Sequence, residues 1–256
     1  MKDSPLGRYS DLDSPIRRLD PRVKIVSTLL FILFVVLTPP THIRQFASYL
    51  AIIMAVIFLA KLPLASVLRR SLVILPFVLL VGIFIPFLRG GEMIGSYSLG
   101  PLRLSVSRSG LLVLQNIAIK AWLSVLSMTV LIATTRTPEL LQGFRGLHVP
   151  KLLVLLLSFL LRYIPLLADQ VARLRRAGEA RSFGRRGLRQ LGVLGNIVGT
   201  LFIRTFERGE RIYGAMLARG FVGEVRTIRL PQITGWDALF AASLLGLLVL
   251  VKVVVR

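Results

Sequence analysis

Two arginines that could make ionic contacts stand at the ends of amphipathic patterns and have nearly identical neighbours. Each lies in an Ala-Arg-small-Phe stretch, with a guanidinium that its small neighbours leave uncovered. A projecting guanidinium forms bidentate hydrogen bonds with a carboxylate, so the predicted chemistry is anchoring to an acidic partner. A favourable helix dipole is the alternative explanation for either arginine alone. The residues of the two predicted contacts are Ala180, Arg181, Ser182, Ala218, Arg219 and Gly220.

The residue types present in the chain give little support for catalysis or metal binding. The chain has no Cys and two His, which excludes thiolate chemistry and leaves a transition-metal site poor in ligands. We expect His42 and His148 in solvent-facing loops. Acidic residues of the basic region lie beside arginines at helical spacing, which favours ion pairs over acid–base catalysis. Without a G-x-x-x-x-G-K-[ST] phosphate loop, we predict no catalytic residue, no metal and no cofactor in this chain.

The composition is that of a membrane protein. The 256 residues are 54% hydrophobic and 18% charged, with a mean hydropathy of +0.73. The net charge of +21 indicates basic cytoplasmic loops in such a protein. Nucleic-acid binding is not supported, because the aromatic residues do not interleave with the basic runs. The polar, mixed-charge residues 1–20 do not have the pattern of a cleavable signal peptide.

Five apolar runs are predicted to cross the bilayer. A helix needs about 20 apolar residues to span the bilayer, and shorter runs can span it when lysines at their ends extend their ammonium groups to the interface. Basic residues before the first run place the N-terminus in the cytoplasm and, with five crossings, the C-terminus outside. The runs are 23–37, 46–60, 71–88, 110–134 and 236–255.

A further apolar run, 152–168, is predicted to lie in or under the cytoplasmic interface. It is short, contains Arg162 and Pro165, and precedes an arginine cluster that a crossing would place outside, against the charge rule. Arg162 should be buried or snorkelling, with Asp169 as a nearby carboxylate. The alternative is seven crossings, with 188–203 returning across the membrane.

The loop 89–109 alternates apolar and polar residues on both sides of a Gly-Pro pair. Period-two alternation around a turn predicts a small hairpin that caps the outer face, with an irregular loop as the equal alternative.

Two amphipathic helices are predicted in the cytoplasmic region, at about 165–181 and 199–219. Apolar side chains recur on each at three- and four-residue spacing. Between them, Gly195 and Gly199 form a small-x-x-x-small pair that permits a close helix crossing. Before the first apolar run, Asp20 and Pro21 indicate a helix start, with Arg22 and Lys24 as cytoplasmic anchors.

These motifs resemble those of the transmembrane T component of energy-coupling factor transporters, in its cobalt/nickel, CbiQ-like branch. The similarity lies in the paired Ala-Arg-small ends and in three further stretches in the same order, over roughly residues 15 to 230. Ser182 departs from the commoner glycine. The matching residues outside the pair include Asp20, Pro21, Arg22, Lys24, Arg162, Pro165 and Arg211.

The resemblance implies a non-catalytic coupling subunit of an ATP-driven importer in a bacterial or archaeal cell membrane. Its partners would be two cytoplasmic ABC-type ATPases, which bind the ATP, and a substrate-binding membrane (S) subunit. Cobalt or nickel is the implied cargo, although related T components serve vitamins. The rival hypotheses are a self-sufficient secondary transporter or channel, for which Lys120 within a span is weak support, and a basic membrane-surface adaptor, which would not need so many spans.

We therefore predict an all-α integral membrane protein with about five transmembrane helices and an L-shaped cytoplasmic arm of amphipathic coupling helices. Its regions are a four-helix membrane part at 1–135, a basic coupling region at 136–230 and a last transmembrane helix at 231–256.

Overall fold

The computed structural model describes residues 14–40, 42–82, 93–99, 102–181, 189–223 and 234–254. Within these residues the chain is almost entirely helical, with one small hairpin. The elements are α1 (Pro21–Val36), α2 (Ile43–Leu59), α3 (Leu64–Ser71), α4 (Ile74–Gly82), β1 (Met93–Leu99), β2 (Leu102–Ser107), α5 (Arg108–Thr134), α6 (Thr137–Gly146), α7 (Lys151–Arg181), α8 (Arg189–Ala218) and α9 (Gly235–Val254). The predicted all-α membrane class is confirmed.

The first helix begins as predicted. The Asp20 carboxylate accepts a hydrogen bond of 2.8 Å from the backbone N–H of Arg22, and Pro21 occupies the first helical position. Proline fits there because its missing N–H would have no partner within the helix. The sequence pattern thus sets this helix boundary locally.

The third apolar run differs from its prediction. Helix begins at Leu64 rather than at residue 71, so the arginines expected in a loop lie in the last turn of α3. The helix is interrupted after Ser71, because Pro76 has no N–H to donate to the carbonyl of Leu72. The predicted end at residue 88 lies outside the described residues.

The loop expected to be a hairpin or irregular is a hairpin. The strands β1 and β2 pair in antiparallel fashion, with Tyr97 opposite Leu104. An irregularity follows Met93, where the register shifts by one residue. The prediction that this hairpin caps the outer face is untested.

The described residues up to 143 and from 234 onward form one compact unit, which we call the helical core unit. The long helix α5 contacts α1, α2, α3 and α4, while α9 packs against α1 and α2. Phe31 and Tyr49 meet edge to face with ring centroids 5.9 Å apart. The most deeply buried apolar side chains of the helical core unit are Val35, Tyr49, Ile57, Leu123, Leu126 and Leu248.

Residues 144–223 form a second compact unit, the arm unit, in which α7 and α8 pack against each other. Both helices are longer than predicted. The first begins at Lys151 and not near Pro165, which lies inside it. The second begins at Arg189 and not near Gly199. The apolar and charged patterns that suggested separate segments are therefore consecutive stretches of one helix.

Among the described residues, four helices are long and apolar enough to cross a membrane: 64–82 (α3 with α4), 109–134, 151–180 and 235–254. Large apolar side chains on their surfaces remain exposed, as expected for surfaces that face lipid. The helix containing 152–168 is among the four, so the argument that this run is too short to cross is wrong. The charge rule and the presence of Arg162 and Pro165 in the run still favour its interfacial placement, and the number of crossings stays a prediction.

Candidate functional site

The end of α8 presents Arg219 on a well-defined cap. Gly220 has φ of +77°, the left-handed conformation that glycine adopts without steric cost. The N–H of Phe221 donates to the Met216 carbonyl at 3.0 Å, and the N–H of Gly220 donates to the Leu217 carbonyl at 2.9 Å. This pair of bonds defines a Schellman motif. Gly220 is thus the first residue after the helix cap, a position that glycine commonly occupies.

The cap leaves Arg219 without cover from its own chain. Ala218, Arg219 and Gly220 are all exposed, and no ion pair involves Arg219 among the described residues. The arginine sits at the helix end, where the backbone dipole favours a cation. Its guanidinium is therefore available to an external acidic group.

The corresponding end of α7 is described as far as Arg181, which is its last helical residue. Ala180 before it is exposed, while Ser182 and the predicted stop at Gly184 lie outside the described residues. One turn earlier, Arg175 Nε bonds Glu179 Oε1 at 2.8 Å as an exposed pair four residues apart. This is the type of helical ion pair that the charge pattern predicted.

An apolar groove of about 410 Å³ runs between α7 and α8 within the arm unit. Leu155, Phe159 and Tyr163 line it from α7, and Ile212, Tyr213 and Met216 line it from α8. Phe221 also lines it, so the residue after the Schellman turn packs back toward its own helix. The groove ends next to the cap that carries Arg219.

The close crossing that Gly195 and Gly199 permit does not occur at these glycines in the part of the chain that the structure describes. A Cβ added at either glycine would meet nothing within 4 Å. The close approach of α7 and α8 is at Gly178, where an added Cβ would lie 3.3 Å from Val193 Cγ1 and 3.8 Å from Ile197 Cδ1. The sequence does not single out Gly178, since the spacing of glycines does not reveal which one faces a neighbouring helix.

Two further arginines of the predicted set are surface residues. Arg162 is exposed and forms no ion pair with Asp169 in the described structure, so of the two predicted alternatives burial within the chain is excluded and snorkelling stays a prediction. Arg211 NH1 lies 3.7 Å from Glu207 Oε2 in an exposed pair. Exposed pairs of this kind contribute about 0–1 kcal/mol. Neither arginine is fixed in a binding geometry by its own chain.

Three of the remaining predicted residues, Asp20, Arg22 and Lys24, meet Asp237 in a second place, which we call the polar cluster. Lys24 Nζ donates to the carbonyl of Arg17 at 2.8 Å and to that of Thr134 at 3.4 Å. Asp237 accepts from the backbone N–H of Asp20 at 2.8 Å and of Thr234 at 2.7 Å. The cluster thus joins the starts of α1 and α9 to the end of α5.

Asp237 lies at the edge of the last apolar run, 236–255, and is not among the predicted site residues. Thr234 and Asp237 have the spacing of a capping box, in which the third helical residue bonds the N-cap amide. That pattern was the available local signal for its bond to Thr234. Its bond to Asp20, 217 residues away in sequence, has no local signal.

Lys120 has a local explanation in the structure. Its Nζ donates to the carbonyl of Val36 at 2.8 Å, at the end of α1. Carbonyls in the last turn of a helix have no partner within it, so the ammonium caps α1 from α5. His148 lies in an exposed turn as predicted, with φ of +61°, whereas His42 is half-buried at the N-cap of α2.

Comparisons with known proteins agree over nearly the full chain. A sequence model of the CbiQ family, described as cobalt transport protein, matches residues 13–228. The energy-coupling factor transporter transmembrane protein EcfT of Thermanaerovibrio acidaminovorans is 32% identical, with 97% of each chain covered. That of Heliobacterium modesticaldum is 31% identical over 98% of this chain and 97% of its own. The chain therefore belongs to the CbiQ family of energy-coupling factor transmembrane components.

Proposed function

We propose that this chain couples ATP hydrolysis by two cytoplasmic ABC-type ATPases to a substrate-binding membrane (S) subunit, in an importer of cobalt or nickel ions. The observation that carries the proposal is the exposed Arg219 on its Schellman cap, together with the repeat of its neighbours around Arg181. The cargo follows from the description of the matching family, and the chain itself supplies no cofactor. We place it in a bacterial or archaeal cell membrane with a cytoplasmic N-terminus.

In this mechanism Arg181 and Arg219 each enter an acidic groove, one on each ATPase. The small residues next to them, Ala180 with Ser182 and Ala218 with Gly220, allow the ATPase surface to approach the guanidinium closely. A buried contact of this type depends on the planar fork, because two parallel N–H bonds meet both carboxylate oxygens. ATP-driven closure of the ATPases would then displace α7 and α8.

The proposal is tested by substituting the two arginines. Arg181→Ala and Arg219→Ala should each reduce ATPase co-purification, since truncating one partner of a desolvated charged pair costs about 2–5 kcal/mol. The double variant should lose more than either single variant, because the arginines meet different ATPase copies. Lysine at either position should restore only part of the binding, since it keeps the charge and loses the fork.

The measurement is the amount of ATPase subunit and of ATP hydrolysis recovered with the tagged chain after extraction from its host in mild detergent. Uptake of labelled Co²⁺ and Ni²⁺ is measured in parallel at matched expression. Arg175→Ala is the matched control, because Arg175 is on the same helix as Arg181 but its exposed bond is to Glu179. Normal assembly of the double variant, or equal damage by the control, would refute the two-anchor mechanism.

The secondary-transporter alternative loses its one supporting residue. Lys120 was the ionisable group within a clear span, and its bond to the Val36 carbonyl gives it a role in joining two helices. Among the described residues no three His, Asp or Glu side chains converge as they would at a metal ion.

A further inference from the structure

The polar cluster is a buried junction between parts of the chain that are distant in sequence. Asp20, Lys24 and Asp237 are each 3 to 4% exposed, so their charges face little water. Polar groups in such surroundings are costly unless they are bonded, and their bonds are correspondingly strong. All four bonds of Lys24 and Asp237 are to backbone groups, at Arg17, Thr134, Asp20 and Thr234, which ties backbone segments directly to one another.

The same junction contacts α6. A Cβ added at Gly143 would lie 3.1 Å from Cβ of Pro21 and 2.8 Å from Cδ1 of Ile25, so α6 rests directly on the first turn of α1. The carboxylate of Glu139, also on α6, attracts the Lys24 ammonium. Helix α6 is thus held against α1 by close packing and by charge.

Helix α6 is also where the chain passes from one compact unit to the other. The division falls between Gly143 and Phe144, inside the helix Thr137–Gly146. A helix of this length is stiff because hydrogen bonds join each backbone N–H to the carbonyl four residues earlier. Movement of α6 therefore acts on its contact with Pro21 in the first turn of α1.

We propose that Asp20, Lys24 and Asp237 are positioning residues that hold α6 in fixed register with the starts of α1 and α9. This rests on the proposed function, in which the coupling helices α7 and α8 move. With the polar cluster intact, movement of the arm displaces the membrane helices together. When the polar cluster is broken, α6 shifts against α1 and α9, and movement of the arm no longer displaces the membrane helices together.

The test uses pulsed electron paramagnetic resonance on spin labels at Thr137→Cys in α6 and Val249→Cys in α9. Both positions are exposed, and the chain has no other Cys. The labelled chain is purified with its co-purifying partners and measured without nucleotide and with ATP plus vanadate. The wild-type background should show one narrow distance distribution that nucleotide does not change.

Lys24→Met should at least double the width of that distribution and make it respond to nucleotide. Lys120→Met is the matched control, since it also removes a lysine–carbonyl bond between α1 and α5 but lies outside the polar cluster. Both variants should lower the unfolding temperature, whereas only Lys24→Met should broaden the distribution of distances between the two spin labels. Lys24→Arg, which keeps the cation and its donors, should restore a narrower distribution.

A narrow distribution in Lys24→Met, equal broadening in Lys120→Met, or a nucleotide-dependent distance in the wild-type background would each overturn the proposal. If Lys24→Met does not fold, Asp237→Asn replaces it, because the amide cannot accept both backbone N–H bonds. Absence of any ATPase from the wild-type preparation would refute the proposed function instead. The widths of the distance distributions measured without nucleotide would still show whether the polar cluster positions α6.

Discussion

Gly143 gives a sharp test of how closely α6 packs on α1. An alanine Cβ there would lie 2.8 Å from Ile25 Cδ1, 3.1 Å from Pro21 Cβ and 3.3 Å from the Pro21 carbonyl carbon. The end of Ile25 can rotate away, because it is the tip of a flexible side chain. Pro21 cannot, because it is in the first turn of a helix whose N-cap, Asp20, is bonded to Asp237.

The expected magnitude combines two opposing effects. Overpacking a fitted contact costs about 1–3 kcal/mol, while replacing glycine by alanine within a helix gains roughly 0.5–1 kcal/mol. Gly143→Ala should therefore lower the free energy of unfolding by about 0.5–2 kcal/mol. Gly143→Val should lower it further, because valine adds two methyl groups and has a lower helix propensity than alanine.

The assay is thermal unfolding of the purified chain in mild detergent, where each kcal/mol shifts the midpoint by about 2–4 °C for a chain of this size. Gly246→Ala in α9 is the matched control, since an added Cβ there meets nothing within 4 Å. It should raise the midpoint. If Gly143→Ala is as stabilising as Gly246→Ala, the inferred contact between α6 and α1 does not exist in the folded protein.

Two further predictions concern the arm unit. Gly220→Ala should lower the free energy of unfolding of the arm unit by about 1–2 kcal/mol, because a Cβ is disfavoured at positive φ. Gly220→Asn should lower it less, because asparagine tolerates that conformation; equal free energies of unfolding for the two variants would contradict the left-handed cap. Gly178→Val should loosen the α7–α8 pair and speed hydrogen exchange along both helices, since Val193 already lies 3.3 Å from the added Cβ. Gly199→Val, in open space, should leave the exchange rates nearly unchanged; if its exchange increases as much as that of Gly178→Val, the crossing is not at Gly178.

Local chemistry determined much of the fold in advance. The start of α1 follows from Asp20 and Pro21, whose capping bond and missing N–H act within two residues. The left-handed turn at Gly220 likewise needs only the conformational freedom of glycine. Helix lengths were harder to predict from the sequence, because α7 and α8 continue through Pro165 and Gly199, where local propensity predicts a boundary. Packing along the whole helix outweighs a single unfavourable residue.

The membrane class, the basic character of the chain and the two Ala-Arg-small-Phe ends follow from the sequence alone, since hydropathy, charge and motif spacing are properties of neighbouring residues. The tertiary structure alone decided which glycine, Gly178, faces the neighbouring helix, and that Lys120 caps α1. It also decided that Asp237 binds the backbone of Asp20 across 217 residues. Such contacts depend on how distant helices rotate and dock, and every helix has several faces that satisfy the same local pattern.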